Sequence, residues 1–170
     1  MERAEILRQN GYDFLWIRDG SGKPDLWMWD VPTEVRAQKQ IADQAWGEVL
    51  VAGYGLGLVQ KLLLENPKVT RVVTCEIEPQ VVKANKKRYG KLWGEVVLGD
   101  FYRFSSQKKF DCVIGDIWLD IMPEYLGDYL AFRKKAQSLV KKGGKILGWG
   151  LDYFEYKLKN LKGGENELRN

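Results

Sequence analysis

Between residues 47 and 151 the chain repeats one pattern, a short and almost wholly apolar run followed by a segment of helical character. The runs are GEVLVAG (47–53), VTRVVTCEI (69–77), GEVVLGD (94–100), KFDCVIGDIW (109–118) and KILGWGL (145–151). A strand that is apolar on both faces must be covered on both faces, which is the condition of a parallel sheet between helices. The segments between the runs supply those helices. LGLVQKLLLEN (56–66) stops at Asn66-Pro67, and PQVVKANKKRYG (79–90) has proline at its start and glycine at its end. EYLGDYLAFRKKAQSLVKKGG (124–144) closes on Gly143-Gly144. The pattern predicts a doubly wound α/β domain with a mostly parallel sheet. In that architecture ligands bind beyond the carboxyl ends of the strands.

Residues ahead of this core are aromatic-rich. YDFLWIR (12–18) and DLWMWDV (25–31) flank the turn cluster DGSGKP (19–24) and read as a hairpin. TEVRAQKQIADQAW (33–46) reads as a helix after Pro32. The 170 residues suit one domain: hairpin and helix over 1–46, the α/β core over 47–151 and a polar tail over 152–170.

Composition removes several classes of chemistry. The chain has no histidine, so His-based triads and dyads are excluded. Cys75 and Cys112 sit inside apolar runs, no C-x-x-C occurs, and no metal site is expected. No apolar run approaches the roughly 20 residues of a membrane span, and the charged N-terminus MERAEILRQNGYDF carries no apolar signal region. The chain therefore reads as cytoplasmic. The net charge of +4 comes from lysines on the predicted helices, read as solvated faces; nucleic acid stays open as a partner.

The candidate site follows from the strand ends. Gly53-Tyr54-Gly55-Leu56-Gly57 turns the first core strand into its helix, and glycines there admit positive φ and close approach of a ligand. The spacing is G-x-G-x-G, with Leu58 where a dinucleotide fingerprint needs its third glycine, which argues against NAD or FAD. Glu76 ends the second strand and can accept both hydroxyls of a ribose. Asp100 after Gly99 is placed either to accept from an exocyclic amine beside Phe101 or to cap a turn. Asp116 ends the fourth strand, with Asp120 as a helper. Trp118 is an apolar wall for a substrate or a core residue.

Glycine turn, acid, Gly-Asp and acid in that order resemble the class I S-adenosylmethionine-dependent methyltransferase superfamily, and within it the spermidine synthase-like branch. The likeness rests on residues 47–90, on VVLGDFYRF (96–104), on KFDCVIGDIW and on DLWMWDVPTEVRAQ (25–38), and spans roughly residues 25–150. It implies a Rossmann-like methyltransferase fold and S-adenosylmethionine as cofactor. By that resemblance Gly53, Tyr54, Gly55 and Gly57 would wrap the methionine and ribose. Glu76 would hold the ribose hydroxyls, with Ile77 against the adenine. Asp100 and Phe101 would meet the adenine amine. Asp116 would stand at the sulfonium as the catalytic group, with Trp118 and Asp120 toward the acceptor.

The departures choose between chemistries. Leu56 stands where aminopropyltransferases of the branch carry an aspartate. Asp116 and Asp120 are one residue too far apart for its D-x-x-D run, and its Tyr-His pair is absent. These differences favour methyl transfer to an unidentified, small-molecule acceptor over aminopropyl transfer or a cofactor-binding module without catalysis. Nineteen residues after Leu151 are too few for the further helix and strand pair of the full family core. The sheet is therefore expected to be truncated at its C-terminal end. Its open edge would be covered by the N-terminal hairpin or by a second copy in a homo-oligomer.

Overall fold

The computed structural model describes residues 3–118 and 120–167, with side chains to Leu161. Two sheets form. The N-terminal one is antiparallel, ordered β1 (Ala4–Gln9), β2 (Tyr12–Arg18) and β3 (Pro24–Trp29). The core sheet is parallel: β4 (Gly47–Ala52), β5 (Val69–Glu76), β6 (Glu95–Leu98), β7 (Phe110–Gly115) and β8 (Val140–Gly148), in the spatial order β6-β5-β4-β7-β8. The helices are α1 (Pro32–Asp43), α2 (Leu58–Glu65), α3 (Pro79–Tyr89), α4 (Leu126–Leu139) and α5 (Leu151–Glu167).

The period of two along β4 sorts the core into two layers. Val49 and Val51 pack with Ile41 and Ala42 of α1 and with Val59 and Leu63 of α2. Leu50 and Ala52 pack on the other face with Phe132 and Ala136 of α4 and Phe154 of α5. Cys75 and Cys112 are free and buried within these layers, and burial raises both thiols, Cys75 to about 11. They behave as small hydrophobes, as expected.

Three expectations are corrected. First, residues 4–9 form a strand. Asn10 (φ 50°) and Gly11 (φ 86°) both take left-handed backbone between β1 and β2, the conformation of a two-residue hairpin turn that an Asn-Gly pair favours. Second, the long helix ends at Leu139, not at Gly143-Gly144, because Val140 already pairs with Phe110 and Lys141 donates to Asp111 Oδ1 at 2.8 Å. Third, the expected polar tail is helical to Glu167. Leu151, Phe154 and Leu158 recur at helical spacing, and all three pack into the α4 layer.

The N-terminal sheet does not cover β8. Its inner face places Ala4, Leu15 and Met28 with Tyr54, Leu56, Val81 of α3 and Val96 of β6, at the end of the core sheet away from β8. Along β8 itself Lys141, Lys142 and Lys145 are exposed, and charge of that kind blunts strand pairing at an edge.

The N-terminal sheet is fastened to α3 at Asp13, which is 2% exposed. Its carboxylate accepts from Arg88 (2.9 Å), from the Tyr89 hydroxyl (2.8 Å) and from Arg8 (3.3 Å), while its N–H donates to Asp30 Oδ1 at 2.6 Å. Burial pushes this carboxyl up, but the Arg88 and Tyr89 hydrogen bonds and the two guanidinium charges outweigh it, and the net pKa is lowered. A lowered acid stabilises the fold above the unfolded pKa near 3.8 and loses that contribution as pH falls through the native value. Asp13→Asn is therefore expected to cost about 1–3 kcal/mol at neutral pH, because the guanidiniums it leaves behind reach solvent. Urea unfolding should show that difference narrowing in acid; an equal gap at both pH values would contradict it.

Candidate active site

Beyond the carboxyl ends of the core strands lies a cavity of about 710 Å³. Its size is within the ~300–1,000 Å³ of small-molecule sites. Gly53, Tyr54, Gly55, Glu76, Ile77, Asp100, Phe101, Asp116 and Trp118 all line it, and the N-terminal strand β3 adds Leu26 to Trp29.

The glycine turn is built for folding as much as for a ligand. Gly53, Gly55 and Gly57 have φ of 86°, 54° and 72°, which a side chain would strain. The space their missing side chains leave is filled from within. A Cβ on Gly55 would lie 2.4 Å from Met28 Sδ, and one on Gly57 would meet the Trp93 and Tyr54 rings. Gly57 does not line the cavity; it starts α2. Two buried amides fix the turn: Gln60 Nε2 donates to the Gly53 carbonyl at 3.0 Å and Asn85 Nδ2 to the Gly55 carbonyl at 2.8 Å. Tyr54 offers the cavity little but backbone, since its ring is buried and its hydroxyl accepts the Trp93 N–H at 2.8 Å. Leu56 is buried with Ala4, Leu15 and Val81, away from the cavity.

Glu76 is held rigidly. Oε2 accepts the Tyr54 N–H at 2.8 Å and Oε1 the Glu78 N–H at 2.7 Å. Burial raises its pKa, while these backbone donors pull the other way. A carboxylate has about four acceptor positions, so these backbone donors do not exhaust its capacity to accept from a ligand hydroxyl. Beside it Ile77 is 70% exposed, a large apolar side chain bared to the cavity. Asp100 Oδ1 accepts the Tyr102 N–H at 2.8 Å, so it does cap the turn at Phe101–Arg103 while its carboxylate borders the cavity. Phe101 is a core residue stacked on Phe132 and only 4% exposed where it borders the pocket.

Asp116 is tied to α1, a contact that strand-end reasoning missed. Gln38 is fully buried, and its Nε2 donates to Asp116 Oδ2 at 2.7 Å and to Glu34 Oε1 at 2.9 Å. Burial pushes Asp116 up to about 7; the Gln38 hydrogen bond opposes the shift and the Glu34 charge adds to it. A carboxylate titrating near neutrality in a cavity is suited to taking and giving a proton. Trp118 lies mostly in the core, edge-on to Tyr129, Phe132 and Phe154, with its N–H donated to the Trp149 carbonyl at 3.1 Å. Asp120 is exposed, accepts from the Ile121 N–H at 2.7 Å and does not line the cavity, so it is no partner for Asp116. Among the described residues no group of histidine, cysteine or carboxylate side chains is placed to hold a metal ion.

A glycine turn after the central strand, followed by strands ordered β6-β5-β4-β7-β8 with acids at their ends, finds counterparts among known proteins. Ribosomal RNA small subunit methyltransferase A of Flavobacterium johnsoniae is 30% identical over 134 residues, 65% of this chain and 49% of that protein. The glycopeptide N-methyltransferase MtfA, solved in complex with S-adenosylmethionine, superposes with a TM-score of 0.51 at 22% identity, covering 67% of this chain and 52% of that one. The fold is that of the class I S-adenosylmethionine-dependent methyltransferases. Trm5b from Pyrococcus abyssi superposes over 98% of this chain and 47% of its own, with a TM-score of 0.56 and 21% identity, so its likeness extends beyond the parallel-sheet core to the N-terminal sheet. No family model matches the chain. The chain spans about half the length of the proteins it matches. Among the described residues no helix is long and apolar enough to cross a membrane.

Proposed function

We propose that this chain is an S-adenosylmethionine-dependent methyltransferase in which Asp116 is the base. The observation that carries the reading is the buried, backbone-anchored Glu76 carboxylate set against exposed Ile77 at the mouth of the glycine turn. An acceptor-only group beside an apolar wall fits a ribose that donates two hydroxyls next to a flat adenine. Asp100 borders the same cavity and suits the adenine amine, and the Gly53–Gly55 backbone suits the methionine part. When bound, the cofactor supplies a methyl group on a positively charged sulfur, which departs as a neutral thioether with the bonding electron pair. The protein's part is orientation and proton handling. Asp116 takes the proton that the acceptor loses, Gln38 fixes the direction of its carboxylate, and β3 with its two tryptophans roofs the acceptor side.

The bound ligand of MtfA and the activity named for the Flavobacterium protein support the cofactor and the reaction type. The spermidine synthase-like alternative is less favoured. The position that would carry its substrate-binding aspartate is Leu56, sealed in the apolar cluster under the N-terminal sheet. Calorimetry with S-adenosylmethionine, S-adenosylhomocysteine, the decarboxylated sulfonium and NAD tests the choice. Binding of the first two, with the decarboxylated form weaker and NAD absent, is expected. Tightest binding of the decarboxylated form would move the assignment to aminopropyl transfer, and no sulfonium binding would sink the cofactor reading.

A further inference from the structure

We propose that the methyl acceptor is a small-molecule amine, held as its ammonium between the Glu34 and Asp116 carboxylates and the Trp27 and Trp29 rings. The inference deepens the methyl-transfer reading and rests on it.

The charge of the cavity is the first argument. Glu34, Glu76, Asp100, Asp116 and Asp128 line it, and among the described lining residues there is no lysine or arginine. This is the reverse of the chain as a whole, whose net charge is +4. An anionic acceptor, a phosphate among them, would find no cationic side chain among the described lining residues.

The second argument is the hydrogen-bonding character of the acceptor end. Gln38 spends both N–H donors on Glu34 and Asp116, holding two carboxylates side by side. Glu34 and Asp116, which both line the cavity, are thus held together with carboxylate oxygens left over as acceptors. A primary ammonium is the complementary group, with three donors and no acceptor.

The third argument is the aromatic wall. The β2–β3 register passes from Leu15↔Met28 to Trp16↔Leu26, so Trp27 has no cross-strand partner and sits at a bulge. Bulges of this kind re-aim a side chain beside a site. Trp27 and Trp29 are 48% and 41% exposed, and both line the cavity. Indole faces attract cations, so these rings complete a cage that carboxylates alone would not specify.

In the reaction the ammonium gives one N–H proton to Asp116. The lone pair so freed forms the bond to the methyl carbon as the sulfur–carbon pair returns to sulfur. The product is a methylated amine, and the proton on Asp116 passes to solvent.

The test is calorimetry on the full chain saturated with S-adenosylhomocysteine. Two matched sets serve as probes: phenethylamine with hydrocinnamate and hydrocinnamide, and tryptamine with indolepropionate and indoleacetamide. In at least one set the amine should bind about tenfold tighter than its anionic and neutral partners, and Glu34→Gln should remove most of that preference. Cofactor-product binding should survive that substitution, which reports that the variant is folded. Equal or tighter binding of the neutral or anionic member in both sets, no binding of either amine, or an undiminished preference in Glu34→Gln would overturn the inference. Failure of S-adenosylhomocysteine to bind at all would instead overturn the methyl-transfer reading beneath it.

Discussion

Asp116→Asn is expected to lower kcat by about 10²–10⁴-fold, the usual worth of a positioned general base, while leaving cofactor affinity within about twofold, since it does not remove the Glu76 anchor. The amide keeps the size of the carboxylate and can still meet Gln38 after a flip, so the fold should persist. The wild-type pH profile supplies the second half of the expectation. Burial raises Asp116 to about 7, and a base acts only when deprotonated, so kcat/KM should climb as pH rises through about 7 and then level off. The neighbours give the signs of two further shifts. Glu34→Gln removes a like charge and should move the profile to lower pH. Gln38→Leu removes a hydrogen bond to the ionised form and should move it higher. A profile that ignores both substitutions would show that a different group is titrating, and an Asp116→Asn enzyme of normal rate would remove Asp116 from the chemistry.

Glu76→Gln should weaken S-adenosylmethionine binding by about a hundredfold. Each hydrogen bond to a charged acceptor is worth about 1.5–3 kcal/mol, and two are at stake, of which the amide oxygen recovers a part. The substitution also sets an NH₂ against one of two backbone N–H donors, Tyr54 at 2.8 Å or Glu78 at 2.7 Å. Some loss of thermal stability should accompany the weaker binding. The two effects separate by pH. Burial raises the Glu76 pKa, and the protonated carboxyl accepts poorly, so wild-type affinity should fall as pH drops through the raised value. The variant has nothing to titrate there and should bind with a flat profile. Calorimetry across that range decides it, and wild-type affinity in the variant would mean that Glu76 serves only the backbone.

What could be read from the chain without coordinates was what depends on neighbours in sequence. The parallel sheet, its helices and the acids at its strand ends follow from local runs and their order. The Asn10-Gly11 turn and the spacing of Leu151, Phe154 and Leu158 were equally local, and the signals for β1 and α5 were present but outweighed by the polar residues around them. The pairing of Gln38 with Asp116 is of another kind. The two lie on α1 and after β7, and no periodicity brings an interior glutamine of one helix under a distant strand end. The same holds for the room at Gly55, taken by Met28 from a different sheet. Trp118 shows the converse limit. An aromatic residue at a strand mouth can face the pocket or the core, and only the ring contacts with Tyr129, Phe132 and Phe154 decide that most of it belongs to the core.

The amides of Gln60 and Asn85 give the glycine turn a further property. Because both hold its carbonyls from fully buried positions, the turn takes its shape when the domain folds and has no shape left to find when a ligand arrives. Association should then lose little backbone entropy at this loop, so that more of the gross contact energy appears as affinity.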